Sequence, residues 1–173
     1  MGACTAQAQI GTGASVSWAN AETGGVMNRE DSLAGTTPTP IPTTTGTNYS
    51  FIKNLVLAVT VTGTTHITNR RINISTGTAT GMLLHWKAVA VGSYAQAASG
   101  NMPGASGSNA STPAGYTMMT TSAAQYDNTS VATSSTGPSG SMVVVVEGID
   151  NTYSSGASSS ATTPSLVISY DES

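Results

Sequence analysis

One cysteine, one phenylalanine and thirteen charged residues are all that this chain of 173 holds of those types. Each shortage excludes a class. The lone Cys4 has no internal disulfide partner, so a disulfide-stapled secreted module is excluded, and the expectation is a protein made in a reducing cytoplasm. Five basic side chains against eight acidic ones are too few to release counterions from nucleic acid along one face. Two of the five, Arg70 and Arg71, are adjacent and would point to opposite faces of a strand. No run of 18 apolar residues occurs, so no helical membrane span is expected. The opening residues MGACTAQAQIGTG lack the basic and apolar regions of a secretory signal. Val, Ile, Leu and Phe together number 28, about a sixth of the chain, below the ~20% that usually accompanies a packed core. A net charge of −3 nevertheless gives little self-repulsion, which argues against a disordered chain.

What the chain has in plenty is small. Gly, Ala, Ser and Thr sum to 93 residues, with Thr alone at 28 and Val at 13. Thr and Val carry a stiff branched Cβ that suits a pleated surface. The composition therefore predicts a thin-cored β protein with long small-residue loops. Neighbouring copies or partners would supply burial that Ala, Ser and Gly cannot.

Runs rich in β formers and bounded by turn residues predict about seven strands and no helix. They fall at 14–18, 51–62, 65–75, 81–92, 115–121, 141–149 and 165–170. In 51–62, alternation sets Phe51, Leu55, Leu57, Val59 and Val61 on one face. Ile52, Asn54, Val56, Ala58, Thr60 and Thr62 form a half-polar second face, expected at solvent or an interface. Gly63-Thr64 suggests a hairpin between 51–62 and 65–75. Met82, Leu84, Trp86, Ala88 and Ala90 share a face, and the unbroken valines of 141–149 fit a strand buried on both sides. A short helical turn is an option at 123–128. The fold class this implies is all-β: an antiparallel β-sandwich or jelly roll.

Two regions divide the chain on this reading. Residues 1–50 form an extended N-terminal segment with a short strand and a proline arm, and 51–173 form the sandwich, a single domain overall. Pro38, Pro40 and Pro42 flank Ile41 within 36–45 and should stiffen that arm toward polyproline geometry. The 22 residues of 93–114 exceed the usual length of a structureless loop. No fixed-period repeat is visible.

The chemistry-bearing motifs are sparse. There is no G-x-S-x-G elbow and no P-loop, and Gly11-Thr12-Gly13 lacks the third glycine of a dinucleotide loop. His66 and His85 are the only histidines. As cross-strand neighbours joined by Cys4 they would make three zinc ligands, but partly exposed strand residues is the plainer reading. Glu30-Asp31 and Asp171-Glu172 are adjacent pairs that cannot face each other across a glycosidic bond. Asp127-Asn128 and Asp150-Asn151 lack calcium-loop spacing and read as Asx turns. The sequons at Asn48, Asn73, Asn109 and Asn128 match what chance gives in a chain with 52 Ser and Thr. No catalytic residue, cofactor or metal is assigned, and the chain is expected not to be an enzyme.

Across 31–82 and the residues just before, the order of elements resembles small virion structural proteins of tailed bacteriophages. Asn28-Arg29-Glu30-Asp31 precedes the arm Pro38, Pro40, Ile41, Pro42. Gly46, Asn48-Tyr49-Ser50-Phe51 and Lys53 then open a strand, Ile67-Thr68-Asn69 precede a second, and Thr80-Gly81 open a third. The resemblance covers about a third of the chain and implies a β-rich protein attached to a capsid or tail. Its best fit is a capsid decoration, or cement, protein. Such proteins sit on the outer shell, often as trimers, and clamp neighbouring major capsid subunits. The implied partners are the major capsid protein and further copies of the chain, with no nucleic acid and no membrane. The implied location is the capsid surface after synthesis in the host cytoplasm. The alternatives are a tail, neck or fibre component, and a carbohydrate- or surface-binding module. Candidate partner contacts are Trp18, Pro38, Pro40, Ile41, Pro42, Tyr49, Tyr94 and Tyr116, since aromatic anchors and preset proline arms bind at low entropic cost.

Overall fold

The computed structural model describes residues 4–21, 27, 29, 31, 41, 48–61, 66–78, 80–101, 112–132, 137–138, 140–149 and 165–172. Among these residues are two short 3-10 turns, at 91–93 and 99–101, and twelve extended segments: β1 (Cys4–Thr12), β2 (Ser17–Asn20), β3 (Asn48–Tyr49), β4 (Lys53–Val61), β5 (His66–Ile74), β6 (Met82–Ala90), β7 (Thr117–Met118), β8 (Ala124–Asp127), β9 (Val131–Ala132), β10 (Gly137–Pro138), β11 (Ser141–Ile149) and β12 (Leu166–Glu172). The larger sheet runs β2-β1-β4-β11-β6-β7, with β3 beside β11 and β10 beside β4. The smaller runs β12-β5-β8, with β9 beside β5. Every pairing is antiparallel. The molecule is the all-β, antiparallel, sandwich-like fold that the composition implies.

Between the sheets lies the main core. Ile10, Leu55, Leu84, Val143 and Val145 from the larger sheet meet Ile72, Ile74 and Tyr126 from the smaller. A second patch joins Leu57 to Ile67, with Ile168 and Tyr170 against it. β11 is central, flanked by β4 and β6, and buried from Met142 to Ile149, as its valine run requires. Burying a side chain such as Val145 contributes about 1.5–3 kcal/mol.

Four expectations are corrected. Residues 4–12 are more than an extended segment. They form β1, which pairs β4 from Cys4 opposite Val61 to Gly11 opposite Asn54, so the segment 1–50 contributes an integral strand to the sandwich. β4 and β5 do not form a hairpin: they lie in different sheets, and Leu57 packs onto Ile67 across the gap. Residues 124–127 are a strand and not a helical turn. The fourth concerns the half-polar face of β4. Ile52, Asn54, Val56 and Ala58 are buried, and residues 91–97 of the chain cover the first three.

Sidedness along this strand also shifts. Tyr49 stands opposite Gly148, and Lys53 stands opposite Val145. Four steps on one strand thus match three on the other, which is the signature of a β-bulge. Ser50 fills the gap: its N–H donates to Glu147 O at 2.8 Å and its Oγ accepts from Glu147 N at 3.0 Å. The extra residue puts Phe51 and Ile52 on the outer side together, so Phe51 does not share a face with Leu55. A similar irregularity near Asn69, whose φ is +49°, turns Arg70 inward beside Ile72 and leaves Arg71 outside.

Candidate functional site

The outer side of the larger sheet is where sequence-distant residues converge. Ile52, Val56, Met142 and Val144 form its apolar floor, with Ala97 above them. Residues 91–97 lie across this floor as a strap. Asn54, fully buried, donates from Nδ2 to Ala95 O at 2.8 Å. The Tyr94 hydroxyl donates to Gly13 O at 2.9 Å, in the turn between β1 and β2. Burial, and after it the charge of Asp31, raises the Tyr94 pKa, which keeps that donor protonated. Asp31 Oδ2 accepts from Gly13 N at 2.8 Å and from Gln96 Nε2 at 2.8 Å. Trp18 meets Tyr94 edge-to-face at 6.1 Å. A side chain at Gly11 would strike the Tyr94 and Trp18 rings, 2.9 and 3.0 Å from its Cβ position, so only glycine fits there.

The far end of the strap leaves a half-open hollow of about 140 Å³. Its floor includes Ile52 and Val144, and Lys87, Ser93, Asn101 and Tyr116 stand around it. The Lys87 ammonium sits 4.7 Å from the centre of the Tyr116 ring, a cation–π contact worth about 0.5–1 kcal/mol. Burial pushes the Tyr116 hydroxyl up to about 12, so it is neutral and able to donate.

Of the candidate contacts, Trp18, Tyr94 and Tyr116 all pack around this one cluster as half-buried rings. Tyr49 and Ile41 do not offer a surface: both are buried inside the chain, at 2% and 7% exposure. Tyr49 lies on β3 over the bulge and meets His85 edge-to-face at 6.4 Å. Pro38, Pro40 and Pro42 lie outside the described residues.

The histidines do not meet. His66 is exposed on β5 in the smaller sheet, whereas His85 is fully buried on β6 in the larger. The sequence reading of His85 as partly exposed is therefore corrected, and the cause is the cover supplied by Tyr49. Among the described residues neither His85 ring nitrogen has a hydrogen-bond partner, and burial lowers its pKa. No group of three metal-ligating side chains occurs among the described residues. Among the described residues no helix is long and apolar enough to cross a membrane.

Three polar features escaped the sequence reading. Arg70 and Asp127 form a buried ion pair at 2.6 Å, joining β5 to β8. Asp127 also accepts from Thr129 N and Ser141 N, each at 2.7 Å. Burial alone would raise this carboxyl, but the hydrogen bonds from Thr129 and Ser141 outweigh it and hold the pKa below its ordinary value. The i to i+2 bond to Thr129 is the Asx turn expected there. Arg71 and Asp171 pair at 2.5 Å on the outer side of the smaller sheet, where Asn69 also donates to Asp171 at 2.8 Å. Glu147 is buried on the inward side of β11, and burial pushes its carboxyl up to about 7. Only the alternation of 141–149 could have flagged that glutamate, by placing it in line with Val143 and Val145.

No protein-family model, no curated protein and no solved structure matches the chain.

Proposed function

We propose that the chain is a non-enzymatic structural component of a tailed-bacteriophage particle, and within it a capsid decoration protein that bridges and stabilises major capsid subunits. The observation that carries the reading is the gathering of Trp18, Tyr94 and Tyr116 on one outer face. They are far apart in sequence, half-exposed, and packed against the outer side of an antiparallel sheet. Amphipathic rings on a fixed platform are what protein interfaces use as anchors. The order of elements around 31–82 supports the same assignment.

Sheet edges supply a second support. Among the described residues no strand lies beyond β2 in the larger sheet or beyond β12 in the smaller. Open backbone edges of this kind accept a partner strand. In this reading the chain sits on the capsid surface, bound to the major capsid protein and to further copies of itself, with trimers as the arrangement the resemblance implies.

Quantitative mass spectrometry of purified virions tests the assignment. Hundreds of copies, or a ratio near one to the major capsid protein, are expected for shell decoration. A handful to tens of copies would move the chain to the tail, neck or fibre. Absence from the particle would overturn the virion reading and leave a carbohydrate- or surface-binding module.

A further inference from the structure

The cation at the rim of the hollow is met by an aromatic ring and not by a carboxylate. Arg70 and Arg71 each have a carboxylate, at 2.6 and 2.5 Å. Lys87 has none within ion-pair distance among the described residues, although the chain holds eight acidic residues to five basic ones. Its ammonium rests on the Tyr116 ring instead. Lys87 is half-buried beside an apolar floor, and a ring quadrupole offsets less of an ammonium's charge than a carboxylate does. An anion entering the hollow would complete that pairing.

The rest of the lining narrows the kind of anion. Ser93 brings a hydroxyl able to donate, and Asn101 a side-chain amide whose Nδ2 also donates to Gln96 O at 2.8 Å. Ile52 and Val144 bring a dry floor for methylene groups. A cavity of about 150 Å³ accommodates one benzene-sized molecule, and this hollow measures about 140 Å³. A carboxylate on two methylenes fits that space; a nucleotide or an oligosaccharide does not.

We propose that the hollow is a carboxylate-binding site that takes one carboxylate on a short aliphatic stem, with Lys87 holding the charge and Ile52 and Val144 the stem. The carboxylate comes either from a free short-chain acid or from a glutamate side chain of a partner protein. The inference does not rest on the virion assignment, because it concerns the isolated chain.

The test is titration of the purified chain with sodium propionate, followed by amide chemical shifts of Lys87, Val89 and Ser93. Saturable millimolar shifts are expected, with propionamide weaker by about tenfold because it lacks the charge. Lys87→Met should weaken propionate by a similar factor, while Lys87→Arg should retain it. Ser93→Leu, at an exposed position, should block the hollow without disturbing the fold, as circular dichroism would verify. N-acetylglutamic acid N-methylamide separates the sources. Tighter binding than propionate would assign the site to a partner's glutamate, and equal binding to a free acid. Absence of saturable shifts, equal response to propionamide, or full retention by Lys87→Met would overturn the proposal. Absence of the chain from virions would leave it standing.

Discussion

Arg70 Nη2 donates to Asp127 Oδ2 at 2.6 Å with both side chains sealed from solvent, although 57 residues separate them. The pair sits where the two sheets are tied together, since Ser141 at the start of β11 donates to the same carboxylate oxygen. Gly140, with φ +77°, passes so close to the Arg70 guanidinium that a Cβ there would overlap it.

Removing one partner of this pair leaves the other charged and buried. Arg70→Met or Asp127→Asn should each cost about 3–5 kcal/mol. Gly140→Ala should cost about 1–3 kcal/mol through the combined backbone and guanidinium conflict. Urea denaturation at neutral pH measures all three. A loss below 1 kcal/mol for Asp127→Asn would mean that the site relaxes around water.

Two buried groups predict opposite pH trends. Glu147 has its folded pKa raised to about 7 from 4.5, so the folded state binds the extra proton between those values. Stability from this group is greatest below pH 4.5 and declines as pH rises to about 7. Glu147→Gln should remove that decline and stabilise the protein at pH 8 by on the order of 2 kcal/mol. His85 has its pKa lowered from 6.5 by burial, so its contribution is lost as pH falls below 6.5 toward the folded value. His85→Phe should flatten the acid limb of a thermal-stability profile below pH 6.5 and leave the neutral region nearly unchanged.

The strap over the larger sheet depends on one hydroxyl and one glycine. Tyr94→Phe deletes the bond to Gly13 O and should cost about 1 kcal/mol. Gly11→Ala places a methyl against the Trp18 and Tyr94 rings and should cost about 1–3 kcal/mol. Trp fluorescence during chemical denaturation reads both, because Trp18 reports on the strap directly.

Deleting residues 1–13 should abolish folding, since it removes β1 from between β2 and β4. Insoluble expression or loss of the β signal in circular dichroism is the expected outcome. A stable, folded truncation would mean that β4 can serve as an edge strand.

Local patterning carried most of the secondary structure. Branched residues at period two are visible without any partner, so β4, β6, β11 and β12 were legible, and the valines of 143–146 announced the central strand. β1 was not, because CTAQAQIGT alternates small and polar side chains whose burial depends wholly on a neighbour. The Trp18, Tyr94 and Tyr116 group was half legible: each ring stood out as a candidate, but nothing in the chain said they would share a face. Tyr49, Ile41 and His85 were misjudged for one reason. Exposure is decided by what folds over a residue, and that cover comes from distant segments.

The sequence by itself determined that this is an antiparallel β protein with a thin core, because composition and alternation act locally. It also determined that Arg70 and Arg71 point to opposite faces. Only the tertiary structure decided that the inward one meets Asp127, that the bulge at Ser50 shifts the sidedness of the strand, and that Lys87 stands beside a hollow with its ammonium on the Tyr116 ring. Those outcomes depend on register shifts and loop closure between distant segments, and no local pattern encodes either.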